Sequence, residues 1–187
     1  MPTPARTSLS EIVTAGRSIL ESEGLDALTM QRVAGVVGVR APSLYKRVRS
    51  RGELIGLVVE DVARELSTTV AGAARSGDPA HDLHAVARAF RRFGLGHPRS
   101  YALIFGPLPE DVRPGLDALA PATEAVLSIA GELAGQERAL EGARTVVAWA
   151  YGFVSMELAG AFRLGGDIDA AFDFGIERLA RALAERT

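Results

Sequence analysis

Apolar residues recur every three or four positions through most of the chain, and the two-residue alternation of strands does not persist. This rhythm predicts an all-α protein of about nine helices. Ser8 and Glu11 have the spacing of a capping box, in which each side chain satisfies the other's free backbone N–H. Leu9, Ile12, Val13, Ile19 and Leu20 continue from it as one apolar stripe, which Gly24 stops. A short second helix is expected from Thr29, an N-cap, to Val37, with Met30, Val33, Ala34 and Val37 turned inward and Gly38 ending it. A third follows within two residues, Arg40 to Val48, with Pro42 placed where first-turn amides lack helical partners anyway. A second capping box, Ser50 with Glu53, opens a long fourth helix toward Ala74.

Gly77-Asp78-Pro79 reads as a turn, and a fifth helix is expected from Pro79 to Gly94. His97-Pro98 and Gly106-Pro107-Leu108-Pro109 bound a short sixth segment, and the stretch from Glu110 to Leu133 should break or kink near Pro114 and Pro121. The last two helices are expected over Gln136 to Phe162 and Ile168 to Glu185. The first of these carries two apolar stripes, one of Val147, Tyr151, Val154, Leu158 and Ala161, the other of Trp149, Phe153, Met156 and Gly160. A helix apolar on two faces is buried twice. One face would pack on its own core, and the other, Tyr151, Val154 and Leu158 joined by Phe172, Ile176, Leu179 and Leu183 of the final helix, would meet a second subunit. The other reading is a central helix within one subunit.

With 187 residues, 48% of them hydrophobic and 24% charged, the chain has the make-up of one globular domain or two small ones. The longest uncharged run of helical character, Thr145 to Met156, is 12 residues, well short of the roughly 20 that span a bilayer. The absence of cysteine excludes disulfides and thiolate metal sites, and Met1 to Arg6 has no secretory character, so a cytoplasmic protein is expected. The net charge of −2 is unevenly spread: residues 1–64 hold nine basic and seven acidic side chains, and residues 65–187 hold twelve and sixteen. Between Thr29 and Gly52 there are six basic residues (Arg32, Arg40, Lys46, Arg47, Arg49 and Arg51) and no acidic one, a candidate phosphate footprint.

That run falls on two short helices joined by Gly38-Val39, the shape of a helix-turn-helix whose second helix enters the major groove of DNA. Small residues at its start, Ala41 and Ser43, would allow close approach to base edges, with Tyr45 and Lys46 one turn later. Leu28-Thr29-Met30-Gln31-Arg32-Val33-Ala34, Gly38-Val39, Leu44-Tyr45-Lys46-Arg47-Val48 and Ser50-Arg51-Gly52-Glu53-Leu54 together resemble the DNA-binding region of the TetR family. The resemblance implies a DNA-binding domain over residues 1–56 and a helical ligand-binding and dimerising domain over 57–187. It also implies a homodimeric repressor of a palindromic double-stranded operator, released by a small-molecule effector, with no cofactor, no membrane partner and no enzymatic activity.

By the same resemblance Thr29 and Arg51 would contact phosphates. Gln31, Arg40, Ala41, Ser43, Tyr45 and Lys46 would complete the DNA contacts. Three positions depart from the family pattern: Arg40 stands where a Ser or Thr cap is usual, Val48 where a Phe is, and Gly52 where an acidic or polar residue is. The C-terminal half more loosely resembles the Trp-His-Gly subgroup through segments His97 to Gly106 and Ala148 to Leu158, with Tyr151 where the His is expected.

Phe90, Phe93, Tyr101, Leu103, Phe105, Trp149, Phe153 and Met156 are candidates to line an effector pocket, since helical bundles commonly house such cavities. The competing readings are a small helical enzyme, a metal-binding protein and an activator with the same reading head. No nucleophile elbow, Walker loop or dinucleotide fingerprint supports an enzyme. His81 and His84 could share a helical face as a metal pair; the other reading is two surface histidines in the first turn of a helix.

Overall fold

A computed structural model describes residues 7–185; the reading of Met1 to Arg6 lies outside the described residues. Among those described there are nine α-helices, three short 3-10 turns and no strand. The helices are α1 (Leu9–Glu23), α2 (Met30–Val37), α3 (Ala41–Leu44), α4 (Arg51–Ala71), α5 (Pro79–Gly96), α6 (Pro98–Phe105), α7 (Leu116–Ala134), α8 (Ala139–Leu158) and α9 (Ile168–Ala184). They form two compact units: the chain up to Arg64 with His97–Ala118, and Glu65–Gly96 with the chain from Leu119 onward. The division falls inside α4, as does the 56/57 boundary drawn from the sequence.

In the first unit the capping box closes as its spacing requires, with the Ser8 amide donating to Glu11 Oε2 at 2.7 Å and the Glu11 amide to Ser8 Oγ at 3.1 Å. Ile12, Ile19, Leu20, Leu28, Val33, Leu44, Val48, Leu54 and Val58 make the core. Val48 is fully buried, so the smaller side chain still serves as a core anchor. Gly16 lets α1 cross α4 closely, since a Cβ there would lie 2.8 Å from Val58 Cγ2. Glu21 of α1 fastens α6 by accepting from the Arg99 amide, the Ser100 amide and the Ser100 hydroxyl at 3.0, 3.0 and 2.6 Å.

Two details correct the sequence expectation here. The third helix ends at Leu44, four residues before Val48, because the Arg47 and Val48 amides both return to the Leu44 carbonyl and the winding tightens into a turn. At the start of α4 the Glu53 amide donates to Ser50 Oγ at 3.1 Å. The Glu53 carboxylate, however, reaches one residue further back to the Arg49 amide, so half the second capping box forms. The break expected near Pro114 is present: Glu110–Val112 is a 3-10 turn, and α7 begins at Leu116.

In the second unit α5, α8 and α9 pack together around Leu83, Val86, Val146, Ala150, Val154, Phe172 and Ile176. Pro121 sits inside α7 rather than ending it. Beside it the buried hydroxyl of Ser67 accepts the Ala122 amide at 2.9 Å, an acceptor from outside the helix at the turn a proline weakens. The α8 helix stops at Leu158, so Gly160 and Ala161 lie beyond both stripes assigned to it. Its inward face is Ala143, Val146, Ala150 and Val154, while Val147, Tyr151, Met156 and Leu158 are exposed. Val154, Phe172 and Ile176 have no exposed surface, so they are core and have nothing to offer a partner. Leu179 and Leu183 are half-buried, and Leu183 packs toward Gly142 of its own unit.

Candidate nucleic-acid interface

The loop before α2 ends in Thr29, whose extended backbone and side-chain oxygen cap the helix by accepting the Arg32 amide at 3.1 Å. The helix is stopped by Gly38 at φ 79°, a left-handed conformation that a side chain would strain, and the Val39 amide reaches back to the Ala34 carbonyl. Arg40 then occupies the N-cap position of α3 without making a side-chain cap bond. Leu44 and Val48 anchor this segment in the core, which turns Gln31, Arg40, Ser43, Tyr45 and Lys46 outward to exposed positions. Tyr45 is 53% exposed, unusual for an aromatic side chain, while Ala41 and Thr29 are half-buried.

The six-residue basic run is sorted by its neighbours. Arg32 forks onto Glu23 of α1, with Nη2 to Oε1 at 2.7 Å and Nε to both oxygens at 3.1 Å. That side-chain hydrogen bond holds the Glu23 carboxyl below the usual range and raises the guanidinium. The Arg49 amide and guanidinium both go to Glu53, and Arg51 spends two donors on backbone carbonyls. Among the described residues, Arg40, Lys46 and Arg47 have no ion pair or hydrogen bond for their charged groups. The uncompensated positive charge therefore sits on and beside α3. Sequence spacing did not reveal this, because Glu23 and Glu53 lie outside or at the edge of the basic run.

The expected pocket residues fall in both units. Tyr101, Leu103 and Phe105 belong to the first, where the Tyr101 and Phe105 rings lie 4.8 Å apart and Phe105 is 37% exposed. Phe90, Phe93, Trp149, Phe153 and Met156 belong to the second. There Trp149 and Phe153 are 5.5 Å apart, each 5.1 Å from Phe172, and Phe153 stacks on Phe162 at 4.8 Å; Phe93 is buried and Met156 exposed.

Sequence reasoning missed the charge beside this cluster. Arg91 of α5 is bonded twice to Glu157 at 2.7 Å, touches Asp169 at 2.6 Å and lies 5.1 Å above the Phe172 ring. The signal was an Arg within an otherwise inward stripe of α5, legible only once α8 and α9 are placed against it. His84 faces Asp173 at 3.1 Å, which Arg88 also engages, and His81 is exposed. No helix among the described residues is long and apolar enough to cross a membrane.

Residues 83–179 match the family model described as Tetracyclin repressor-like, C-terminal domain. Across 98% of this chain and 85% of the relative, the sequence is 34% identical to the HTH-type transcriptional regulator Rv0681 of Mycobacterium tuberculosis. A protein from Rhodococcus sp. RHA1 has the same fold, with a TM-score of 0.82 at 21% identity over 98% of this chain and 100% of that one. BioQ, solved with its double-stranded DNA operator, superimposes at a TM-score of 0.67 with 24% identity over 95% of this chain and 98% of that one.

Proposed function

The chain belongs to the TetR family of DNA-binding transcriptional regulators, which are not enzymes, and from that premise we propose that it represses transcription as an effector-responsive homodimer in the cytoplasm. The observation that carries the DNA contact is the cluster of uncompensated cations, Arg40, Lys46 and Arg47, beside the exposed Ser43 and Tyr45, on α3 and the turn after it, a segment anchored from behind by Leu44 and Val48. Arg and Lys read guanine edges or hold phosphates, and a tyrosine ring suits the thymine methyl or the sugar. Thr29 and Gln31 at the start of α2 flank that surface, and Ala41 leaves room at the start of α3. Two such heads would meet successive major grooves about 34 Å apart on a near-palindromic operator.

The homodimer rests on α8, where Leu140, Val147, Tyr151 and Leu158 are exposed along one narrow stripe at coiled-coil spacing. Phe174 of α9, 61% exposed, adds apolar surface. The effector would be held in the second unit beside Trp149 and Phe153, half-buried aromatics next to the Arg91 guanidinium. It would act by binding one spacing of the two heads better than the other.

Titration of the purified protein against DNA from immediately upstream of its coding region, beside a scrambled duplex of equal length at two salt concentrations, tests this. Salt-sensitive binding that prefers the native duplex is expected. Equal binding to both duplexes would remove the autoregulatory repressor.

A further inference from the structure

Arg51 stands in the first turn of α4, where a positive side chain faces the positive end of the helix dipole and gains nothing from that placement. Its guanidinium turns back toward the protein. Nε donates to the Leu28 carbonyl at 2.8 Å and Nη2 to the Leu25 carbonyl at 2.7 Å. Both acceptors belong to the connection between α1 and α2. Leu25–Ala27 is a 3-10 turn closed by the Leu28 amide on Leu25 O at 3.1 Å, Leu28 is wholly buried, and Thr29 caps α2.

We propose that Arg51 is a positioning residue of the reading head and not a phosphate ligand. By gripping two carbonyls it fixes the entry of α2 to the start of α4, and α2 in turn sets the direction of α3. The task suits arginine in particular: a planar fork presents two donors on separate nitrogens in fixed geometry, whereas a lysine ammonium offers its donors from one rotatable nitrogen on a flexible stem. The contrast with Arg40, Lys46 and Arg47, whose charged groups have no partner among the described residues, separates the residues that hold the head from those available to DNA. The inference rests on the DNA-binding reading above.

The test compares Arg51→Lys and Arg51→Ala with Arg47→Ala and the wild type, using the upstream duplex and its scrambled counterpart across a range of salt. Hydrogen exchange of the Leu28, Thr29 and Arg32 amides is followed without DNA. If Arg51 positions the head, both Arg51 variants lose about tenfold in affinity for the preferred duplex. Lysine does not rescue them, the salt slope stays at the wild-type value, and the three amides exchange faster. Arg47→Ala flattens the slope by about one per protomer and leaves those amides unchanged. Rescue by lysine, with a flatter slope in Arg51→Ala, would make Arg51 a phosphate contact and overturn the inference. So would unaltered exchange in both variants. If Arg51→Ala fails to fold, the lysine variant carries the comparison alone. A wild type that binds neither duplex would sink the DNA reading, while the exchange measurement would still report on the tether.

Discussion

The indole of Trp149 on α8 lies against the bare backbone of Gly175 on α9, so that a Cβ at position 175 would overlap Cζ2 and stand 3.0 Å from both Cε2 and Cη2. The two helices can approach because one residue has no side chain. Gly175→Ala should therefore cost about 1–3 kcal/mol by overpacking. Trp149 is the sole tryptophan, so fluorescence-detected denaturation reads the same contact; an unchanged midpoint and emission maximum would mean that the helices separate without cost.

Arg91 and Glu157 form a pair whose side chains are only 11% and 13% exposed. Arg91→Met leaves the carboxylate buried without its fork and should destabilise the protein by about 3 kcal/mol or more, whereas Arg91→Met with Glu157→Met should recover a large part of that loss. Urea denaturation of the wild type, the two single variants and the double variant measures the coupling. Additive losses would show the pair to be independent of one another.

Asp82 accepts from Ser76 Oγ and from the amides of Ser76, Arg75 and Gly77 at 2.7, 2.9, 3.1 and 3.2 Å, locking the turn between α4 and α5. These bonds, the Ser76 amide first, hold its carboxyl below the usual range. A lowered folded value means that its stabilisation is present above the unfolded pKa, near 4, and disappears as pH falls through the folded one. Asp82→Asn should melt below the wild type at neutral pH, with a gap that narrows as the pH drops below about 4. Thermal melts across that range check the sign, and a gap that widens in acid would contradict it.

Leu158 lies on the exposed α8 stripe and Val154, one turn earlier, is fully buried. If the proposed homodimer forms on this stripe, Leu158→Arg should give a folded protein of half the wild-type solution mass by sedimentation, while Val154→Arg should fail to fold. A Leu158→Arg protein that keeps a dimeric wild-type mass would move the subunit contact to another face, and a monomeric wild type would remove the homodimer.

Lys46→Ala should lose about 1–3 kcal/mol on the preferred duplex if the ammonium reads a base edge, with little change on scrambled DNA. Equal losses on both duplexes would make it a phosphate anchor.

The helices and their caps were legible in the sequence because they depend on neighbours within a few residues. The Ser8 and Glu11 box, the Thr29 cap, the left-handed Gly38 and the burial of Ile12, Val13, Ile19, Leu20, Met30, Val33 and Ala34 follow from local backbone needs and a 3.6-residue period, whereas Leu9 of the same stripe is exposed and Val37 only half-buried. The helix-turn-helix was legible for the same reason, as a pattern of short helices with fixed stops. What the tertiary structure decided were the matters that depend on partners distant in sequence. Burial of Phe172, Ile176 and Val154 depends on which face of α9 meets α5 and α8, since an apolar stripe looks the same whether it faces its own core or another subunit. The fate of each cation depends on its neighbours in space. Arg32 is neutralised by a glutamate nine residues away, Arg51 is tied to carbonyls 23 and 26 residues away, and Arg91 is held by a carboxylate 66 residues away. Periodicity encodes which residues form a helix; charge pairing and burial are set by three-dimensional contacts that no local pattern carries.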